Sequence, residues 1–220
     1  MNLQGMFATE TLTARDFAFV AETLAEHPND REGVRRLMAD TAEALRLLDE
    51  PTLADRIALR DGLTEVSSAL FWYLLVRRRL RAAGIEDRSL ADYVAAVLDR
   101  FLEGSAWRTA PGHTGHIDYE FDLLVALAEA PRQLQCAMHA YGGDRNLFLT
   151  GLHAAHLRRQ KHRRGAPGVR YYESAGQAHY RQARDCAPPS AQMRDTFDLL
   201  AETFPKVRAE LNYLAEEYLN

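Results

Sequence analysis

Near the C-terminus, Met193, Phe197, Leu200, Phe204, Val207, Leu211, Leu214 and Tyr218 recur at spacings of 4, 3, 4, 3, 4, 3 and 4. Apolar side chains in that alternation fall on one stripe of an α-helix, whereas a strand would send them to opposite faces. Pro205 lies inside the pattern, and an interior proline removes a backbone donor at a cost of about 3 kcal/mol. The register continues through it, so the spacing predicts one long kinked helix, or two stacked ones, without a change of fold. Such a stripe is either the core face of a bundle helix or a seam shared with a second copy. Eight apolar positions in register exceed what a short surface helix needs, which motivates an expectation of self-association.

The rest of the chain carries the same periodicity. Thr13-x-x-Asp16 opens one helix as a capping-box variant, and Pro28 stops it. A second helix is expected over 31–49, a shorter one from Pro51, and an almost wholly apolar one within 63–83, whose Ser67–Arg81 part should be the most buried. The arginines at its end suit a solvated helix C-terminus. Ser89-Leu90-Ala91-Asp92 reads as another capped start, His116–Ala130 as a further helix, and Gly142-Gly143 as the stop of the one after it, with Asp144 as the next N-cap. No segment alternates with period two between turn signals. These features predict an all-α fold: one bundle of about eight to ten helices over 13–220, after an N-terminal arm over 1–12.

Charge is segregated along this chain. Between Arg145 and Arg184 there are nine Lys or Arg and one acid, Glu173, so the segment carries +8 while the whole chain carries −4. Something anionic is expected beside it. Arg158, Arg159, Arg163, Arg164 and Arg170 flank a Gly165-Ala166-Pro167-Gly168 turn, and their planar forks suit bidentate contact with a phosphate or carboxylate. The alternative is internal pairing with acids such as Asp195, Asp198 and Glu202. Tyrosines near the run raise nucleic-acid binding, but the sequence pattern matches no RNA-binding module and the acidic remainder would repel a long polyanion.

Seven of the eight histidines lie between His113 and His179. His113-x-x-His116 with Glu120 is the nearest metal-ligand spacing, provided a helix begins by His116 and puts it on one face with Glu120. His153, His156, Gln160 and Arg163 form a polar stripe at helical spacing. Either neighbouring helices satisfy them, or they line a pocket with the Trp107–His116 loop. HExxH, Glu-x-x-His, GxSxG, a P-loop and GxGxxG are all absent, so the sequence assigns no catalytic residue and implies no cofactor.

Two cysteines far apart, with no leader-like N-terminus, fit a reducing cytoplasm. The longest apolar run, 69–76, is too short to span a bilayer, and no membrane partner is expected. The leading functional expectation is therefore a non-enzymatic module that works through protein contacts, self-association included. The second is a small-molecule or anion binder, or an enzyme, with a pocket built from His153, His156, Arg159 and Arg163.

Overall fold

The computed structural model describes residues 6–25, 27–38, 40–58, 65–104, 106–164, 167–187 and 191–219. The described residues form eleven α-helices and two short 3-10 turns, with no strand among them. The helices are α1 Ala14–Leu24, α2 Arg31–Leu37, α3 Thr41–Leu47, α4 Pro51–Ala58, α5 Ser68–Ala82, α6 Arg88–Leu102, α7 Glu120–Glu129, α8 Arg132–Leu152, α9 Ala154–Arg164, α10 Val169–Cys186 and α11 Ala191–Tyr218. The all-α expectation holds, with one helix more than its upper count. Where the sequence drew a single domain from residue 13, the contacts group the chain into two compact units, Gln4–Asp99 and Arg100–Asn220.

In the first unit, Thr13 and Asp16 make the expected reciprocal cap of α1. The second oxygen of the buried Asp16 accepts the Ser67 N–H at 2.7 Å, tying the start of α1 to the cap of α5. Ala69–Val76 are all buried, as their unbroken apolar run predicts. Arg77, expected at a solvated helix end, is instead buried and makes two bonds to Asp49, at 2.7 and 3.2 Å. Burial works against the Asp49 charge, but the bonds from Arg77 and Arg88 outweigh it and hold this carboxyl below its ordinary range. The stretch read as an arm contributes a 3-10 turn, Ala8–Thr11, and both the Thr9 N–H and hydroxyl bond to Asp92. Asp92 is thus spent on a tertiary contact, and Asp87 caps the α6 start by accepting the Leu90 N–H at 2.7 Å.

The second unit is built on α8, α10 and α11, which pack against one another, with α7 against α8. Gly142 and Gly143, expected to stop a helix, lie in the middle of α8. They are there for close approach: a Cβ on Gly143 would sit 2.6 Å from the Tyr180 ring, and one on Gly142 would sit 2.8 Å from the His179 ring. The same device recurs where Gly176 meets Phe204 and Gly151 meets Leu211. α8 ends at Leu152, and α9 begins after a break at His153. The carbonyls of Thr150 and Gly151, in the last turn of α8, both accept from the Asn212 amide of α11.

α11 runs unbroken through Pro205. A proline has no N–H, so the carbonyl four residues earlier, Ala201, loses its helical donor. Gln177 of α10 supplies one at 3.0 Å. The heptad stripe faces inward, and every member except Tyr218 is buried. It serves as core within this unit, so it lends no support to a seam between copies.

Two outcomes follow for the C-terminal helix. Gln177→Ala should cost about 1–2 kcal/mol by orphaning the Ala201 carbonyl, but only a few tenths (about 0.3) when Pro205→Ala restores the backbone donor. Urea melts of the four proteins measure this coupling. Leu211→Glu should unfold the protein, because it buries an unpaired carboxylate against Gly151; a folded monomer instead would place the stripe at a subunit contact.

Candidate functional site

A cavity of about 590 Å³ lies within the Arg100–Asn220 unit. That size falls in the range of small-molecule sites. One wall is aromatic. Phe101 and Phe148 have ring centroids 5.2 Å apart, and Trp107 stands 5.7 Å from Phe148. Tyr172 of α10 also lines the space. Trp107 comes from the connection between α6 and α7, which contains Gly104 and Gly112 at φ of 82° and 71°, values that suit glycine alone. The Tyr141 hydroxyl donates to the Trp107 carbonyl at 3.0 Å, and the Ile117 N–H closes back on Arg108 O at 3.1 Å. The loop is thereby held against α8.

Arg145 of α8 lines the cavity and is only 2% exposed. Its guanidinium lies 4.9 Å from the Trp107 ring centroid and donates to the Asp118 carbonyl at 2.6 Å. Its Nε and Nη1 have no hydrogen-bond partner among the described residues. No carboxylate among the described residues pairs with it. The Asp118 carboxylate is engaged by Arg108 at 3.0 Å, and Glu120 is taken by His179 and Asn146. A buried cation held by one carbonyl and a ring face, with the Tyr141 hydroxyl beside it, lacks the anion that normally compensates desolvation. The remaining polar residues at the cavity are Asp118, whose carboxylate Arg108 engages, Tyr119, Tyr172, His153, His156 and Gln160. His153 stands edge-on to Phe148, and partial burial, with His156 adding to it, keeps its pKa below the ordinary value.

Behind the cavity a polar chain crosses the α7–α8–α10 packing. The Glu120 carboxylate meets His179 Nε2 at 2.7 Å, and His179 Nδ1 meets His139 Nδ1 at 3.0 Å. With Glu120 ionised, His179 donates from Nε2, so its Nδ1 accepts the proton carried by His139 Nδ1. Burial, with the neighbouring His179 second, pushes His139 down to about 4. One turn further along α8, Asp144 accepts from Tyr180 at 2.9 Å and from Arg100 at 3.0 Å.

The expected site residues separate in the structure. His153, His156 and Gln160 do line one cavity with Trp107. Arg158, Arg159 and Arg170 are exposed, do not line it, and pair with no acid among the described residues. The side chains of Arg163 and Arg164, and residues Gly165 and Ala166 of the turn, lie outside the described residues. Of the acids offered as internal partners, Asp198 binds Arg184 at the end of the segment, and neither Asp195 nor Glu202 pairs with Arg158, Arg159 or Arg170 among the described residues. For His113, His116 and Glu120, the helix begins only at Glu120, so His116 does not share a helical face with it. Glu120 is buried with His179 while His116 is exposed, and no group of three metal-binding side chains occurs among the described residues. Arg145 was counted in the basic segment but not singled out. Its signal was the one cation, beside Asp144, inside Gly142–Gly151, a run otherwise of small, apolar and short polar residues.

Comparison with family models, with curated proteins and with solved structures finds no match for this chain.

The histidine chain has a pH signature. His139 is neutral in the folded protein above about pH 4, whereas the unfolded chain takes up its proton below the ordinary 6.5. The unfolded state therefore binds more protons between those values, and the His139 contribution to stability falls as pH falls through them. Asp92, pushed up to about 6 by burial, acts in the opposite sense over part of the same range. Between pH 6.5 and 4 the melting temperature of the wild type should fall further than that of His139→Gln, so that the wild type's value relative to the variant declines steadily toward the acid end.

Proposed function

We propose that this protein binds a small organic anion with a flat apolar body in the cavity beside Arg145. The observation that carries this reading is the buried guanidinium with unpartnered N–H groups against an aromatic wall. The ligand would supply the missing negative charge, its apolar part would lie against Phe101, Phe148 and Trp107, and His153, His156 and Gln160 would bond its polar edge. Binding is favoured over catalysis because no nucleophile stands beside a base among the cavity residues. The protein-contact reading lost its main support when the C-terminal stripe proved to be core. With two free thiols, Cys136 and Cys186, a reducing cytoplasm remains the proposed location.

Thermal denaturation tests the site. Phenyl phosphate and benzoate should raise the melting temperature more than inorganic phosphate, and all three more than chloride at equal ionic strength. At about a hundredfold excess over the dissociation constant the stabilisation should approach about 2.7 kcal/mol. Arg145→Met should abolish the specific shift. It should leave the ligand-free protein within about 1 kcal/mol of wild type, or above it, because it removes a buried, uncompensated charge. Equal shifts for every anion, or an unchanged response in Arg145→Met, would refute the reading.

A further inference from the structure

The same unit carries an outer surface that its own packing does not use. On α7, Phe121, Leu124 and Val125 are 70%, 50% and 43% exposed, at i, i+3 and i+4. They continue from Tyr119, which is exposed and lines the cavity. On α10, exposed Tyr171 stands edge-on to the cavity residue Tyr172, with ring centroids 5.2 Å apart. α9 supplies His156 and Gln160 to the cavity and, on the same helix, exposed Arg158, Arg159 and Lys161. Exposed Arg170 opens α10 beside Tyr171. None of these four cations pairs with an acid among the described residues. The elements that line the cavity, or continue directly from its lining, thus also carry exposed aromatic and aliphatic side chains and cations with no acid partner among the described residues, which together make its candidate rim.

We propose that this rim docks on an anionic lipid bilayer and that the ligand is an anionic amphiphile entering from it. Cations seek lipid phosphate while Tyr and Phe settle at the headgroup boundary, a combination that membrane-surface elements share. A nucleic acid would use the cations but leave Phe121, Leu124 and Val125 in water. A second copy docked face to face through the same rim would set its cations against their own image. The choice of a bilayer over an acidic protein rests on the reading of the cavity as a ligand site, because a protein seated on the rim would cover the cavity, whereas a bilayer is itself a source of ligand. The expectation of no membrane partner rested on the lack of a spanning segment. No helix among the described residues is long and apolar enough to cross a membrane, and surface docking requires none.

Co-sedimentation of the full chain with vesicles tests this. Wild type should pellet with phosphatidylcholine vesicles containing phosphatidylglycerol, stay in solution with phosphatidylcholine alone, and lose binding in high salt. Arg158→Ser with Arg159→Ser should weaken binding on the order of thirtyfold at low salt. Phe121→Ser with Leu124→Ser should weaken it independently. All four positions are exposed, and melting curves with and without benzoate check that both variants stay folded and keep the ligand response. Conversely, Arg145→Met should lose the response to benzoate but still pellet with the anionic vesicles. Failure of the ligand site and failure of the docking surface are thereby distinguished. Wild type that ignores both vesicle types overturns the proposal. So does binding to duplex DNA that survives Phe121→Ser/Leu124→Ser, and so does a wild-type dimer that the same variant converts to monomer.

Discussion

The close approach of α8 to α10 and α11 is the contact on which the second unit depends. Gly142, Gly143, Gly151 and Gly176 let the rings of His179, Tyr180 and Phe204 and the side chain of Leu211 lie directly on helix backbone. With backbones so near, short polar groups on one helix reach partners on the next. Tyr180 reaches Asp144, Asn146 reaches Glu120, and Asn212 reaches the last carbonyls of α8. A methyl group at Gly143 would press on the Tyr180 ring and strain the Tyr180–Asp144 bond. Packing and polar pairing in this core are therefore one constraint.

That constraint explains how so many polar residues stay buried. Ala140–Gly151 is continuously buried although it contains Asp144, Arg145, Asn146 and Thr150. Asp144 and Thr150 have protein partners, as does one edge of Asn146. Within this run Arg145 and the Asn146 Oδ1 are left incompletely satisfied among the described residues, and of the two Arg145 lines the cavity. A buried polar group without a partner is expensive in a core that satisfies its neighbours so thoroughly, and such exceptions concentrate where a ligand completes the set.

The two charge-rich segments illustrate opposite solutions. At the end of α5, Arg77 is drawn inside because Asp49 and the Glu86 carbonyl meet it with good geometry. On α9, Arg158, Arg159 and Lys161 have no such acid among the described residues and remain in water, while Ala154 and Leu157 anchor the helix. Clusters that look alike in sequence thus separate by whether another part of the chain brings a carboxylate to them.

Local signals in the sequence were enough for the all-helical class and for most helix faces, although the one helix expected over 31–49 is two, Arg31–Leu37 and Thr41–Leu47. The 3.6-residue period, the Thr13 cap and the apolar run of α5 depend on neighbours a few residues apart, and the heptad stripe kept its register through Pro205 for the same reason. The polar stripe on α9 could be traced as far as His153, His156 and Gln160. The sequence could not show that Gly142-Gly143 allows close packing where it looked like a helix stop, that Asp92 holds Thr9 and not a helix end, or that His116 lies outside the helix of Glu120. Nor could it distinguish Arg145 from the other arginines of its segment. Each of these depends on what a residue distant in sequence places against it. Periodicity along one helix determines which face turns inward, while the partner that meets a glycine, a carboxylate or a guanidinium on that face exists only after the helices have packed.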